Sequence, residues 1–250
     1  MMALLAPTEG SVEVFGVQAA ANTPAALSRV GFVAQDHPLY GFMRVRELLR
    51  FAQATNRVFD VPYARARLGG LGIDLTCKAS RLSGGQQPQV ALVLALAKRP
   101  HLLVLDEPVA SLDPLARREF LSVLMDAVAC GHVSVLLSSH VLAELERVAD
   151  HLIVLNQGRV QLAGSLDEIT ATHRLVTGPA AAPHPAAGSG QVVAARQFTH
   201  HSQLLIRTAA GNTGMHPAWQ AQSASLEEIV LAYLQNPGPA SAGPLAPAVA

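Results

Sequence analysis

Charge of either sign is scarce in this sequence, and so are cysteine and aromatic residues. Only 14% of the 250 residues are charged and 4% are aromatic, with Lys plus Arg balancing Asp plus Glu at 18 each. A neutral chain has no electrostatic footprint for nucleic acid or anionic lipid, so nucleic acid is not an expected partner. The two cysteines, Cys77 and Cys130, stand far apart and show no metal-ligand spacing. They rule out a disulfide framework, and two reduced thiols of a cytoplasmic protein are expected over a single structural bridge. No apolar run approaches the ~18 residues that cross a bilayer. Residues 1–7 also lack the basic start of a signal peptide. Work at a membrane would therefore need a partner that does the spanning.

Hydrophobic residues make up half of the chain, enough for a substantial core. Short strands are expected over 11–15 and 29–34, and apolar spacing through Val45, Leu48, Leu49 and Ala52 predicts a helix over 44–56. Gly69, Gly70 and Gly72 punctuate a loop-rich stretch before Arg81. An Ala/Leu-rich helix follows over 89–98, then a continuous apolar strand over 102–106 of the kind buried on both faces of a parallel sheet. Asp113 can cap a helix over 113–129, with Pro114 at its first position and Gly131 past its end. A second buried strand (133–138), a short helix (141–149) and a hairpin around Gly158 complete an α/β domain over 1–165. The Pro/Ala/Gly-rich composition near 178–190 marks a linker over 166–191. A small α+β accessory domain over 192–235 and a disordered tail over 236–250 follow. No internal repeat is present.

Three places carry chemistry. Leu102-Leu103-Val104-Leu105-Asp106-Glu107-Pro108 delivers two carboxylates at the C-terminal edge of a strand, where open α/β sheets bind ligands. Asp106 is placed to hold Mg²⁺ through water and Glu107 to polarise an attacking water. Many buried strands end in acids, so this signal alone is modest. Leu82-Ser83-Gly84-Gly85-Gln86 precedes a helix with its backbone N–H groups unobstructed, which suits a γ-phosphate or serves as a simple glycine-rich cap. His140, after Ser138-Ser139, could hydrogen-bond a γ-phosphate and the attacking water, though a lone histidine is more often a surface group.

Together these elements resemble the ATP-binding-cassette (ABC) transporter family over residues 3–165. Leu82 to Gln86 matches the LSGGQ signature, Leu102 to Pro108 the Walker B strand with its catalytic glutamate, and Ser111-Leu112-Asp113 the D-loop. His140 matches the switch histidine, and Gln35 matches the Q-loop glutamine that touches Mg²⁺. The resemblance implies a P-loop NTPase-like ABC nucleotide-binding domain with a helical subdomain. It implies ATP and Mg²⁺ as cofactors, with Glu107 and His140 catalytic. Two ATPase subunits would pair head to tail, as a homodimer or heterodimer, so that Ser83 to Gln86 serves the nucleotide of the partner. The C-terminal appendage and Ser225-Leu226-Glu227-Glu228 are similar to drug- and polysaccharide-export ATPases, which pair with an ABC-2 type permease at the inner face of the cell membrane. Tyr40, Phe42 and Met43, after the Q-loop, are the expected permease contact.

The sequence departs from that family in two places. No Gly-Lys-Ser or Gly-Lys-Thr occurs in it, so the Walker A cradle for the β- and γ-phosphates is absent. Residues 1–10 look like the end of the helix that follows that loop, an N-terminally truncated cassette lacking its first strand. ATP affinity is expected to collapse, and a non-catalytic remnant serving as scaffold or regulatory partner is the alternative. A soluble ABC ATPase of DNA repair or translation fits the neutral charge and single cassette less well. The second departure is Gln87-Pro88 after the signature. Pro88 costs up to about 3 kcal/mol if the helix is already under way, and little if it starts near Gln87.

Overall fold

The computed structural model describes residues 7–18, 24–131, 133–180, 190–208 and 217–236. The chain divides into two compact units, Met1–Val141 and Leu142–Ala250.

The first unit opens with a hairpin of β1 (Glu13–Val14) and β2 (Val17–Gln18). Phe15 and Gly16 both take positive φ, the geometry of a two-residue I′ turn. Then come α1 (Pro24–Ser28), β3 (Val30–Val33) and α2 (Val45–Thr55). Val45, Leu48 and Leu49 form the buried stripe of α2, and Glu47 reaches back to the Arg44 N–H at 2.7 Å. α3 (Val61–Gly70) occupies part of the stretch expected to be loop, with Asp60 capping the Tyr63 N–H at 2.8 Å. Its only buried residues are Ala64 and Leu68, too thin a stripe to give a visible helical period.

After a 3-10 turn at Ala79–Arg81, α4 (Gln86–Ala97) is apolar all round because it is covered on both sides. Leu92, Ala95 and Leu96 pack with the strands, whereas Val90, Val93 and Ala97 join Val45, Leu49, Leu68 and Leu82 in a helical cluster. Pro88 is the third residue of α4, inside its first turn, and the preceding Gln87 N–H already donates to the Ser83 carbonyl at 3.1 Å. β4 (Leu102–Asp106), α5 (Pro114–Ala129) and β5 (Ser134–Ser138) follow, and β3, β4 and β5 form a parallel sheet in that order. Leu103, Leu105 and Phe120 are fully buried in its core. Residues 1–6 lie outside the described set, and 7–10 are not helical.

The second unit contains α6 (Leu142–Val148) and the hairpin β6 (His151–Asn156)–β7 (Arg159–Ser165), turned through Gln157 and Gly158 at positive φ. Two elements occupy residues expected to be linker: α7 (Leu166–Thr172), capped by Ser165, and β8 (His173–Pro179). β8 is a central strand, buried at His173, Leu175, Val176 and Gly178. Its Gly-Pro ending reads as a break in the sequence, but Gly178 is needed for packing: a Cβ there would meet the Trp219 ring at 2.5 Å. β9 (Gln191–Gln197), β10 (His201–Arg207) and β11 (Gln220–Ser223) complete an antiparallel sheet ordered β11-β8-β10-β9. α8 (Leu226–Gln235) carries a reciprocal Ser225/Glu228 capping box and buries Ile229, Val230 and Tyr233. The tail expected to be disordered, 237–250, lies outside the described residues.

Candidate functional site: the C-terminal edge of the parallel sheet

Parallel register brings Asp106, the last residue of β4, opposite Ser138, the last of β5. Ser138 Oγ donates to Asp106 Oδ1 at 2.7 Å and accepts from the Glu107 N–H at 2.9 Å, while the Ser138 carbonyl takes the same N–H at 3.2 Å. These bonds hold Glu107 at φ 45°, a left-handed conformation costing on the order of 1–3 kcal/mol for a non-glycine residue. The twist turns the Glu107 side chain toward His140, whose Nδ1 lies 2.8 Å from Oε2. A carboxylate only accepts, so Nδ1 carries the shared proton and Nε2 is free to face a ligand. Glu107 is 21% exposed at its side chain and His140 69%, so the pair opens to solvent from a sheltered base.

The loop after β3 closes the third side. Val33 pairs with Leu105, so Gln35 leaves the sheet at the level of the carboxylates, exposed. His37 is buried, with φ 44°, and its Nε2 donates to the Pro108 carbonyl at 3.2 Å. Burial is the largest influence on its imidazole and holds it below the ordinary histidine pKa. The bond ties the turn after Gln35 to the segment carrying Glu107.

Ser83 to Gln86 stand apart from this cluster. No hydrogen bond joins them to Asp106, Glu107 or His140 among the described residues. Ser83 Oγ accepts from the Gln86 N–H at 3.2 Å, and Gln86 Oε1 accepts from the Ser83 N–H at 3.1 Å, fixing the turn into α4. Gly84 faces open space, while Gly85 sits so close to α5 that a Cβ would lie 2.8 Å from Ala116 Cβ. Leu82 is buried and anchors the loop in the helical cluster.

In the segment 111–113, Ser111 is exposed and Leu112 is buried in the sheet core. Asp113 caps α5 through the Leu115 and Ala116 N–H groups, both at 3.0 Å. Tyr40 and Phe42 are 50% and 71% exposed and form a small aromatic cluster with Phe51, whereas Met43 packs partly against the helical core. Ser138 and His37 were not singled out by sequence reasoning. The Ser-Ser-His run at a strand end was the available signal for Ser138. Nothing local marked His37.

Known proteins resemble the chain in sequence and in fold. The ABC transporter family model matches residues 1–110. The molybdenum import ATP-binding protein ModC of Brucella melitensis is 37% identical over 166 residues, 64% of this chain and 45% of that protein. ModC of Yersinia pestis is 36% identical over 181 residues, 69% of this chain and 49% of that protein. A solved structure of an ATP binding subunit of an ABC transporter superposes with TM-score 0.59 at 28% identity, covering 67% of this chain and 72% of that one. The matched part of the chain is an ABC transporter ATP-binding domain. Its α/β fold is that of the family's nucleotide-binding domain. The chain spans about half the length of the curated relatives it matches. No described helix is long and apolar enough to cross a membrane.

The donors at the sheet edge suit Mg²⁺. Asp106 and Gln35 offer exposed oxygens, the ligand type this hard cation takes. A full β/γ-phosphate cradle is not available from these residues, since the sequence contains no Gly-Lys-Ser or Gly-Lys-Thr.

Proposed function

We propose that the chain is the ATP-hydrolysing subunit of an ABC transporter, coupling ATP turnover to transport through a separate membrane-spanning permease. The observation that carries this reading is Glu107 held in a left-handed conformation by Ser138 on one side and hydrogen-bonded to His140 on the other. Strain retained at a strand end, with a carboxylate aimed outward, is what a water-orienting base requires. In this reading Glu107 accepts the proton of the attacking water, and His140 Nδ1 fixes the carboxylate while Nε2 faces the γ-phosphate. Asp106 and Gln35 would hold Mg²⁺, which would supply charge neutralisation for the bound nucleotide. Ser138 and His37 position these groups from behind. The free N–H groups of Gly84 and Gly85 serve a nucleotide held by a second ATPase subunit.

The missing Gly-Lys-Ser/Thr favours a second role for the sequence as it stands, a non-catalytic partner that lends Ser83 to Gln86 to an intact cassette. ATP turnover separates the two. Alone, the 250-residue chain should show none, and fusion to the strand and phosphate loop of a relative should restore it. Fused protein that folds but stays inactive favours the scaffold.

For direction we propose export through an ABC-2 type permease, on the strength of Ser225 to Glu228 opening α8 in the C-terminal unit. The relatives named above are import proteins, so the permease recovered with the tagged chain decides the point. An importer permease in that pull-down reverses the direction.

A further inference from the structure

A cavity rimmed by basic side chains lies at the opposite end of the parallel sheet. Arg29 immediately precedes β3 and His101 immediately precedes β4, five residues before Asp106, which places this end ~17 Å from the carboxylates at ~3.3 Å per residue. An open-sided cavity of about 470 Å³ is lined there by Arg29, Arg57, Lys98, Arg99 and His101, with Leu27 and Val58 as apolar walls. None of its lining residues is acidic.

The charge balance decides what the cavity wants. Arg29, Arg57, Lys98 and Arg99 contribute four positive charges. Asp60, bonded to Arg99 at 2.6 Å, offsets one. The C-terminal ends of α2 and α4 reach the cavity and offset roughly one more, at about half a charge each. About two positive charges remain uncompensated, in a chain whose net charge is zero.

The side chains are also set in place. Arg29 stacks on the Phe15 ring at 4.2 Å, with its Nε 3.4 Å from His101 Nδ1. Lys98 Nζ donates to the Leu27 and Val30 carbonyls at 3.0 and 2.8 Å, leaving one proton for a ligand. Burial pulls its pKa below the ordinary lysine value, and no carboxylate counters that pull. Arg99 sits at φ 51°, where a glycine ordinarily follows a helix.

We propose that this cavity binds a dianionic phosphate group, a phosphomonoester or diphosphate. The inference does not depend on the nucleotide reading of the opposite edge. Such a group could belong to a soluble metabolite or to a phosphomonoester lipid headgroup, and one experiment distinguishes them. The 250-residue chain is titrated calorimetrically with pyrophosphate at low salt in EDTA, so that no Mg²⁺ site contributes. In parallel, its retention is measured on phosphatidylcholine vesicles with and without phosphatidic acid.

Arg57→Ala and Arg29→Ala should each weaken pyrophosphate binding about tenfold or more, as expected for loss of a charge-assisted contact. Arg118→Ala, an exposed arginine of α5 outside the cavity, should leave it unchanged. Arg57 is exposed, so its variant keeps the test valid should Arg29→Ala disturb the Phe15 contact. Retention on phosphatidic acid vesicles that pyrophosphate competes away assigns the lipid source, and pyrophosphate binding without retention assigns a soluble one. Absence of binding in both arms overturns the proposal, as does equal loss in Arg118→Ala or no loss in Arg57→Ala.

Discussion

Gly84 and Gly85 stand side by side in the signature turn, yet an added methyl should destabilise only one of them. At Gly85 an ideal Cβ falls 2.8 Å from Ala116 Cβ on α5. Carbon atoms in contact prefer ~3.5–4.0 Å, so the turn and α5 must part by roughly 1 Å. Ala116 is 8% exposed in the sheet core, and Gly85 has ordinary φ of −77°, so the penalty is one of packing alone. Overpacking of this kind costs ~1–3 kcal/mol. For a domain of this size ~2 kcal/mol lowers Tm by about 4–8 °C. At Gly84 nothing lies within 4 Å, and no positive φ must be kept. Gly84→Ala should therefore leave Tm nearly unchanged.

The assay is thermal unfolding of both variants by circular dichroism, with Ala116→Gly combined with Gly85→Ala as the cross-check. That double variant removes the opposing methyl. It should recover stability relative to Gly85→Ala despite the ~1 kcal/mol that glycine costs a helix. Equal Tm losses for the two glycines, or no recovery in the double variant, would refute the claim that the turn is seated against α5.

Three further outcomes are expected. In the second unit, His173 is fully buried, its Nδ1 donating to the Ile169 carbonyl at 2.7 Å and its Nε2 accepting from the Tyr233 hydroxyl at 3.0 Å. Burial depresses its pKa, so the unfolded chain takes up the proton first. Its stabilising contribution is present above about pH 6.5 and lost as pH falls from there through the folded-state value, measurable as a falling urea midpoint that flattens in His173→Gln. Tyr40→Ala with Phe42→Ala, removing two largely exposed rings, should weaken capture of the permease in pull-downs while leaving basal hydrolysis of the fused cassette nearly unchanged. An unfolded double mutant, or one that binds the permease as well as the parent, makes the patch structural. The 250-residue chain alone should hydrolyse no ATP, and turnover that disappears in Glu107→Gln would show that the missing phosphate loop is dispensable.

The elements that sequence disclosed were those with strong local patterns. Leu102 to Asp106 was legible as a strand, although only Leu103 and Leu105 are buried in it and β5, also expected to be buried, has no fully buried residue. Asp113-Pro114 announces a helix start that the structure reproduces with both capping bonds. The start of α4 was legible as an alternative, because Pro88 tolerates only the first turn. α3 was hidden because it buries only Ala64 and Leu68, and β8 because Gly178 and Pro179 resemble a linker. Ser138 and His37 were hidden for a different reason. Their roles come from register across β4 and β5 and from a left-handed turn that meets Pro108, neither of which leaves a local trace.

In the proposed reaction Glu107 orients the attacking water, and nucleotide trapping tests this most directly. The cassette fused to a phosphate loop is incubated with ATP and Mg²⁺ as parent and as Glu107→Gln, and the bound nucleotide is separated and quantified. Loss of a general base lowers turnover by ~10²–10⁴-fold, while Asp106 remains to hold Mg²⁺. The variant should therefore retain ATP where the parent retains ADP. ADP formed by Glu107→Gln at the parental rate would contradict the account.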